Sequence, residues 1–166
     1  MKVYGIVPGK VTDVVDPDAM GRVNVTFPIL PGNDQSTWAP VATMMAGGSR
    51  GSWFMPEVGD DVLVAFQDGD VSHPHIVGFL WNGEHQPPRT DPHMRVIQSV
   101  NGHMIEMYDP PPGSADAGFI RIMDAYGNTI VLQDSNIAIT GVGAVTIDAK
   151  SITIFGRPVS PIGGPI

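Results

Sequence analysis

Apolar and polar positions alternate with a period of two along much of this chain. In GRVNVTF, Val23, Val25 and Phe27 alternate with Arg22, Asn24 and Thr26, and in DVLVAFQ the residues Val62, Val64 and Phe66 share one parity. Strict alternation predicts half-buried strands, because successive side chains of an extended chain point to opposite faces. Three further β-rich runs, VYGIVPGKVTDVV, WAPVATM and HIVGFLW, bring the number before residue 82 to five. Their separators, DPDAMG, PILPGNDQST, GGSRGSWFMPEVGD and DGDVSHP, carry the Gly, Pro, Asn and Asp that set turns. Almost nothing reads as helix, since 20 glycines and 16 prolines interrupt any 3.6-residue pattern. Five short strands in this span predict a small closed or half-closed barrel, of which the OB-type barrel is the best-known five-stranded case.

The pattern changes after NGEHQPPRTDPH, a polar stretch containing Pro87, Pro88 and Pro92 that reads as a linker. Short β-runs follow at close spacing: MRVIQSV, HMIEMYD, GFIRIMDAYGNTIVLQD and IAITGVGAVTIDAKSITIF. Within them Ile120 and Ile122 pair in parity, as do Ile130 and Leu132, Ile137 and Ile139, Val145 and Ile147, and Ile152 and Ile154. Each pair lies two residues apart, so both side chains face the same way in a strand. Between pairs the parity sometimes flips, as a chain does when it turns a corner, with Gly127, Gly141, Gly143 and Gly156 at or near the breaks. The pattern is closer to a β-solenoid than to a sandwich, although its period is irregular. One inward pair per strand cannot fill a core from a single chain, and exposed strand edges aggregate unless covered. The pattern therefore asks for closure by identical copies around an axis. The predicted organisation is a barrel over 1–82, a linker over 83–94, a shaft over 95–157 and an apolar tip segment over 158–166.

Composition sharpens this picture. Of 166 residues, 42% are hydrophobic, as in a folded protein, but only 16% are charged, against about 25% in ordinary globular domains. A short chain has a high surface-to-volume ratio and should carry more surface charge, so the deficit points to surface covered by other chains. The net charge of −8 argues against unassisted binding to a nucleic-acid backbone or an anionic membrane. There is no cysteine, hence no disulfide framework and no thiolate metal site. MKVYGIVPGK has no hydrophobic signal core, and no apolar run approaches the ~20 residues of a membrane-spanning helix.

Taken in order, GRVNVTFPI at 21–29, Trp38 followed by APVA, PEVGDDVLVAFQDGD ahead of HPHIVGFLWNG, then NGHMIEMYD and DAYGNTIVLQD resemble one family. It is the VgrG-type and phage baseplate V-type central spike of contractile injection systems. The order and spacing of these pieces make the resemblance specific, although each piece alone is common. It implies an all-β fold: an N-terminal OB-fold barrel followed by a C-terminal triple-stranded intertwined β-helix. It also supplies the number three, a homotrimer whose core would hold Ile120, Ile122, Ile130, Leu132, Ile137, Ile139, Val145, Ile147, Ile152 and Ile154. The implied role is a membrane-piercing needle that is mechanical and non-catalytic, with no cofactor and no nucleic acid. The implied partners are a hub protein at the OB end, a PAAR-type tip protein at the other, and transiently the target cell envelope. The implied place is a virion tail baseplate or equivalent injection particle, assembled in the bacterial cytoplasm. Larger relatives fuse a hub region ahead of the barrel or insert a muramidase domain after it. Neither is found here, so hub and any cell-wall cleavage are expected from separate chains. No histidine follows His103, so the His-X-His iron apex of some short phage spikes is not expected.

Candidate chemistry competes with plainer readings. In DGDVSHPH, Asp68, Asp70, His73 and His75 offer carboxylate and imidazole ligands, but the same residues suit a hairpin turn. Asp16, Asp18, Asp60 and Asp61 could pair as acids for hydrolysis, yet no pocket or raised pKa is visible in sequence, and turn roles are preferred. Trp38, Trp53, Trp81 and the phenylalanines could stack bases or sugars on a barrel, but only Arg22 and Arg50 lie among the barrel aromatics, so core and interface packing is preferred. Met44, Met45 and Met55 flank the glycine-rich loop and suit either an adaptable contact surface or core filling. The terminal GRPVSPIGGPI reads as a frayed tail, as a segment folding back to close its own prism or, preferred because it is apolar, as a docking patch for the tip protein formed by Val159, Pro161, Ile162, Pro165 and Ile166. A binding module for oligosaccharide or nucleic acid, and a cell-wall hydrolase, remain as alternative functions.

Overall fold

The computed structural model describes residues 2–30 and 36–158. The chain divides into two compact units, Met1–Pro87 and Pro88–Ile166. The described residues are all-β apart from one 3-10 turn over Gln67–Gly69. The terminal residues Val159, Pro161, Ile162, Pro165 and Ile166 lie outside the described segments.

The first unit is built on β1 (Ile6–Asp13), β2 (Arg22–Thr26), β3 (Thr37–Pro40), β6 (Asp61–Phe66) and β7 (Pro74–Leu80). A small hairpin, β4 (Ala46–Gly47) and β5 (Arg50–Gly51), stands between β3 and β6. All neighbours in the sheet order β3-β2-β1-β6-β7 are antiparallel. A parallel bridge of Val41 to Ile76, with the Ala42 N–H donating to the Ile76 carbonyl at 2.8 Å, joins the two edges into a barrel. Closure removes the free edges that an open sheet would expose. Register shifts in β1 at Val11/Asp13 and across β6–β7 at Leu63/Val64 supply the bends that closure requires. The alternating residues fill the interior as the pattern predicts. Val23, Val25, Phe27, Val62, Val64 and Phe66 are buried, with Val7, Val11, Ala39 and Ile76 completing the core. Phe27 and Phe66 meet edge to face at 5.1 Å.

The second unit is a five-stranded antiparallel meander, β8 (Met94–Gln98), β9 (Met104–Tyr108), β10 (Phe119–Met123), β11 (Thr129–Gln133) and β12 (Asn136–Thr140), in the order β12-β11-β10-β9-β8. A two-residue ladder, β13 (Thr153–Ile154) with β14 (Arg157–Pro158), ends it. Each long strand finds its hydrogen-bonding partner in the same chain. The run beginning at Ile137 pairs with β11, Ile137 opposite Leu132 and Ile139 opposite Ile130. Val145, Ile147 and Ile152, expected on further strands, lie in none, while Ile154 lies in β13. Gly141 and Gly143 interrupt the run, and a strand whose ladder has no partner cannot satisfy its backbone groups.

Candidate functional site

One face of the meander is apolar and open to solvent. Register carries side chains across the sheet in rows. Ile97, Ile105, Ile122, Ile130 and Ile139 lie directly opposite one another on successive strands, and Met107, Ile120, Leu132 and Ile137 form a second row headed by Arg95. Side chains directly opposite in antiparallel pairs lie about 4.5–5.5 Å apart at Cβ, so each row is a continuous apolar strip. These nine side chains are 39–72% exposed. Contiguous apolar surface of this kind marks an interaction site on a soluble chain. Beyond it Val145, Ile147, Ile154 and Phe155 are also exposed. Ile120, Ile122, Ile130, Leu132, Ile137 and Ile139, paired by parity in the sequence, come onto one face in the structure. Ile97, Ile105 and Met107 join them without being among the expected pairs, although Ile105 and Met107 carry the same two-residue spacing. Arg95 in the second row hides the membership of its strand neighbour Ile97.

A second apolar area lies on the barrel unit, around a depression of about 670 Å3 between the residues just before β2 and the β4–β5 hairpin, lined by Met20, Met44, Met45, Trp53, Phe54 and Phe79 among others. Of the three tryptophans none is in the core. Trp53 and Trp81 are exposed, and Trp38 is half-buried beneath the Arg22 guanidinium, 5.8 Å from its ring. Core packing thus holds for Phe27 and Phe66 and not for the indoles: barrel interior positions are filled by Val, Ile, Ala and Phe, leaving the larger rings outside.

The acidic and imidazole candidates serve backbone geometry. Asp68 and Gly69 turn with φ of 51° and 76°, and a Cβ on Gly69 would stand 3.0 Å from Tyr4 and 3.2 Å from the Val3 carbonyl oxygen. The Val3 N–H donates to the Gly69 carbonyl at 2.8 Å, which fastens the N-terminal segment to this loop. The Asp70 carboxylate accepts from the Ser72 N–H, which holds it below its ordinary range. His73 Nδ1 lies 3.3 Å from it in an exposed pair. Asp60 accepts from the Glu57 N–H, and Asp61 is held low by the Asn82 side-chain amide and then Lys10. A general acid needs the opposite shift, a carboxyl raised by burial. Among the described residues no group of three or more His, Asp or Glu side chains is placed to hold a metal ion.

Asp16 is the most tightly held of these acids. Arg22 donates through Nε to Oδ2 at 3.1 Å and through Nη2 to Oδ1 at 2.7 Å, and the backbone N–H groups of Asp18, Met20 and Arg22 also donate to it. The guanidinium, foremost, holds this carboxyl far below its ordinary value of 3.8. A depressed folded-state pKa gives stability that is complete above the unfolded value and is lost as pH falls from there toward the folded one. Asp16→Asn should therefore lower the thermal midpoint at neutral pH and flatten its fall from about pH 5 to about pH 2. An equally steep fall in the variant, measured by circular dichroism, would assign that acid sensitivity elsewhere.

Comparison with known proteins is consistent with this geometry. Residues 7–81, the span of the barrel strands, match the family model of the type VI secretion system/phage-baseplate injector OB domain. Among curated relatives, the type VI secretion system spike protein VgrG5 of Pseudomonas aeruginosa is 30% identical over 126 residues, 74% of this chain and 15% of its own length. The spike protein VgrG3 of Vibrio cholerae is 37% identical over 112 residues, 64% of this chain and 11% of its own. The actin cross-linking toxin VgrG1 of Vibrio cholerae is 37% identical over 79 residues, 45% of this chain and 7% of its own. The chain thus spans between 7 and 15% of the length of these relatives. A barrel of this strand order over residues matched by this model is an injector OB domain of the type VI secretion system/phage-baseplate family, set in a chain that is similar to VgrG-type spike proteins.

Proposed function

We propose that the chain is the central spike of a contractile tail or injection system, assembled as a homotrimer. The observation that carries this reading is the row of isoleucines left open on the meander, in a chain whose barrel belongs to an injector OB family. Three copies, each giving its meander as one wall of a prism, would turn those faces inward and build a triple-stranded β-helix over 95–157. Val145, Ile147, Ile152 and Ile154 would join the same interior, where neighbouring copies could supply the strand partners that Val145, Ile147 and Ile152 lack in one chain. Each buried Ile contributes about 1.5–3 kcal/mol. The work is mechanical and needs no catalyst: a shaft of interlocked walls transmits axial force to a target envelope. Its stiffness is kinetic, because no wall can leave without uncovering the whole interior. The barrel over 1–82 faces a separate hub protein, the linker is 83–94, and residues 158–166 dock a PAAR-type tip protein. The particle is a virion tail baseplate or its equivalent.

Light scattering of the whole chain tests this. The expected mass is three times 17.7 kDa. A monomer with measurable affinity for an oligosaccharide or a nucleic acid would instead support the binding-module reading, for which the exposed Trp53 and Phe54 beside the barrel depression would be the natural platform.

A further inference from the structure

Glu106 is the only fully buried charged side chain among the described residues. It lies on the face of the meander opposite the isoleucines, between Val96 and Arg121 in register. Both of its oxygens are engaged. Oε1 accepts from Arg121 Nε at 2.6 Å and also from the Nη2 of the same guanidinium, and Oε2 accepts from Arg89 Nη2 at 3.1 Å. Arg89 is not part of the sheet. It lies in residues 88–93, which precede β8, and its Nη2 also reaches the Met104 sulfur at 3.3 Å. The other end of this segment is fastened too: the Asp109 N–H donates to the His93 carbonyl at 3.1 Å, and Arg95 Nη1 donates to the Pro92 carbonyl at 3.0 Å.

A buried carboxylate is costly unless every lone pair is met, and an ion pair in that position adds less stability than it adds geometric definition. The surface around it is apolar in part. Met104 is buried there, and the rings of Tyr108 and Phe119 lie tilted against each other with centroids 5.6 Å apart. Without its covering segment this face would offer a second apolar surface beside the isoleucine face. We propose that Arg89, Glu106 and Arg121 form an ionic latch that closes residues 88–93 over this face and so leaves the sheet one face for association. The closure of the strap stands on the geometry alone, whereas the selection of one face rests on the trimeric reading.

The bond after Arg89 is a trypsin site, which gives a direct readout on the whole chain. In Glu106→Gln, cleavage there should be at least about tenfold faster than in the parent, with the β-sheet circular dichroism retained and species larger than the parent assembly seen by light scattering. A folded Glu106→Gln cut no faster than the parent would overturn the latch. Faster cutting with an unchanged mass distribution would overturn the selection of one face. If Glu106→Gln does not fold, the double variant Glu106→Met with Arg121→Leu removes the buried charge together with its sheet partner and leaves Arg89 without an acceptor. It should show the same acceleration, and its absence would again overturn the latch. A parent that proves monomeric would defeat the trimeric reading while leaving the cleavage comparison intact.

Discussion

Ile122→Asp is expected to leave the chain a folded monomer of 17.7 kDa. Ile122 sits on β10, the middle strand of the meander, with Ile105 and Ile130 directly opposite on either side. Its side chain is on the open face, so within one chain the carboxylate would remain in water and the sheet should form as before. In an assembly through that face, each copy would lose the burial of one Ile, about 1.5–3 kcal/mol. Each would also bring in a carboxylate without a partner, at several kcal/mol more. Summed over three copies, this exceeds what a small interface can absorb. The measurement is mass by light scattering beside far-UV circular dichroism. Assembly of the variant at the parent mass would show that this face is not the contact.

The second large effect concerns the barrel. Ile76→Ala should destabilise the first unit by about 2–5 kcal/mol and lower its thermal midpoint by roughly ten degrees or more. Ile76 has no exposed surface, opposes Val64 in register, and lies where β7 meets Val41 to close the barrel. Its truncation opens a cavity at the seam. Val77, the next residue, points outward and is 46% exposed, so Val77→Ala should change the midpoint little. Equal effects of the two substitutions in thermal melts would mean that the inside and outside of β7 are assigned wrongly.

These two tests divide along what the sequence could and could not reveal. Inside-outside assignment in the barrel was legible because the period-two pattern of Val23, Val25 and Phe27, and of Val62, Val64 and Phe66, is local. The spacing of Ile120 with Ile122 and of Ile130 with Leu132 was legible for the same reason. The direction of pairing was not. Parity says which residues share a face but not which strand lies beside which, so the partner of the Ile137 run had to come from the register. The Glu106 latch was out of reach for a related reason, since Arg89 and Arg121 lie far from it in sequence and meet it only once β9 and β10 are aligned. Val145 and Ile147 mark the opposite failure. Their spacing reads as strand, but spacing cannot provide the neighbouring backbone that a strand needs.

The local pairing of the meander also bears on the order in which the molecule is made. From β8 to β12 every strand pairs with its sequence neighbour, so loop closure is short at each step and hairpins can form on the microsecond scale. The barrel instead brings Ile6 to Ala65 and Val41 to Ile76, contacts that must wait for long loops to close. The sheet of each chain can thus be complete, with its isoleucines still in water, before any other copy is met. For the proposed trimer, maturation is then a bimolecular search whose rate follows protein concentration, and the period between synthesis and encounter is when such a chain is most exposed to aggregation.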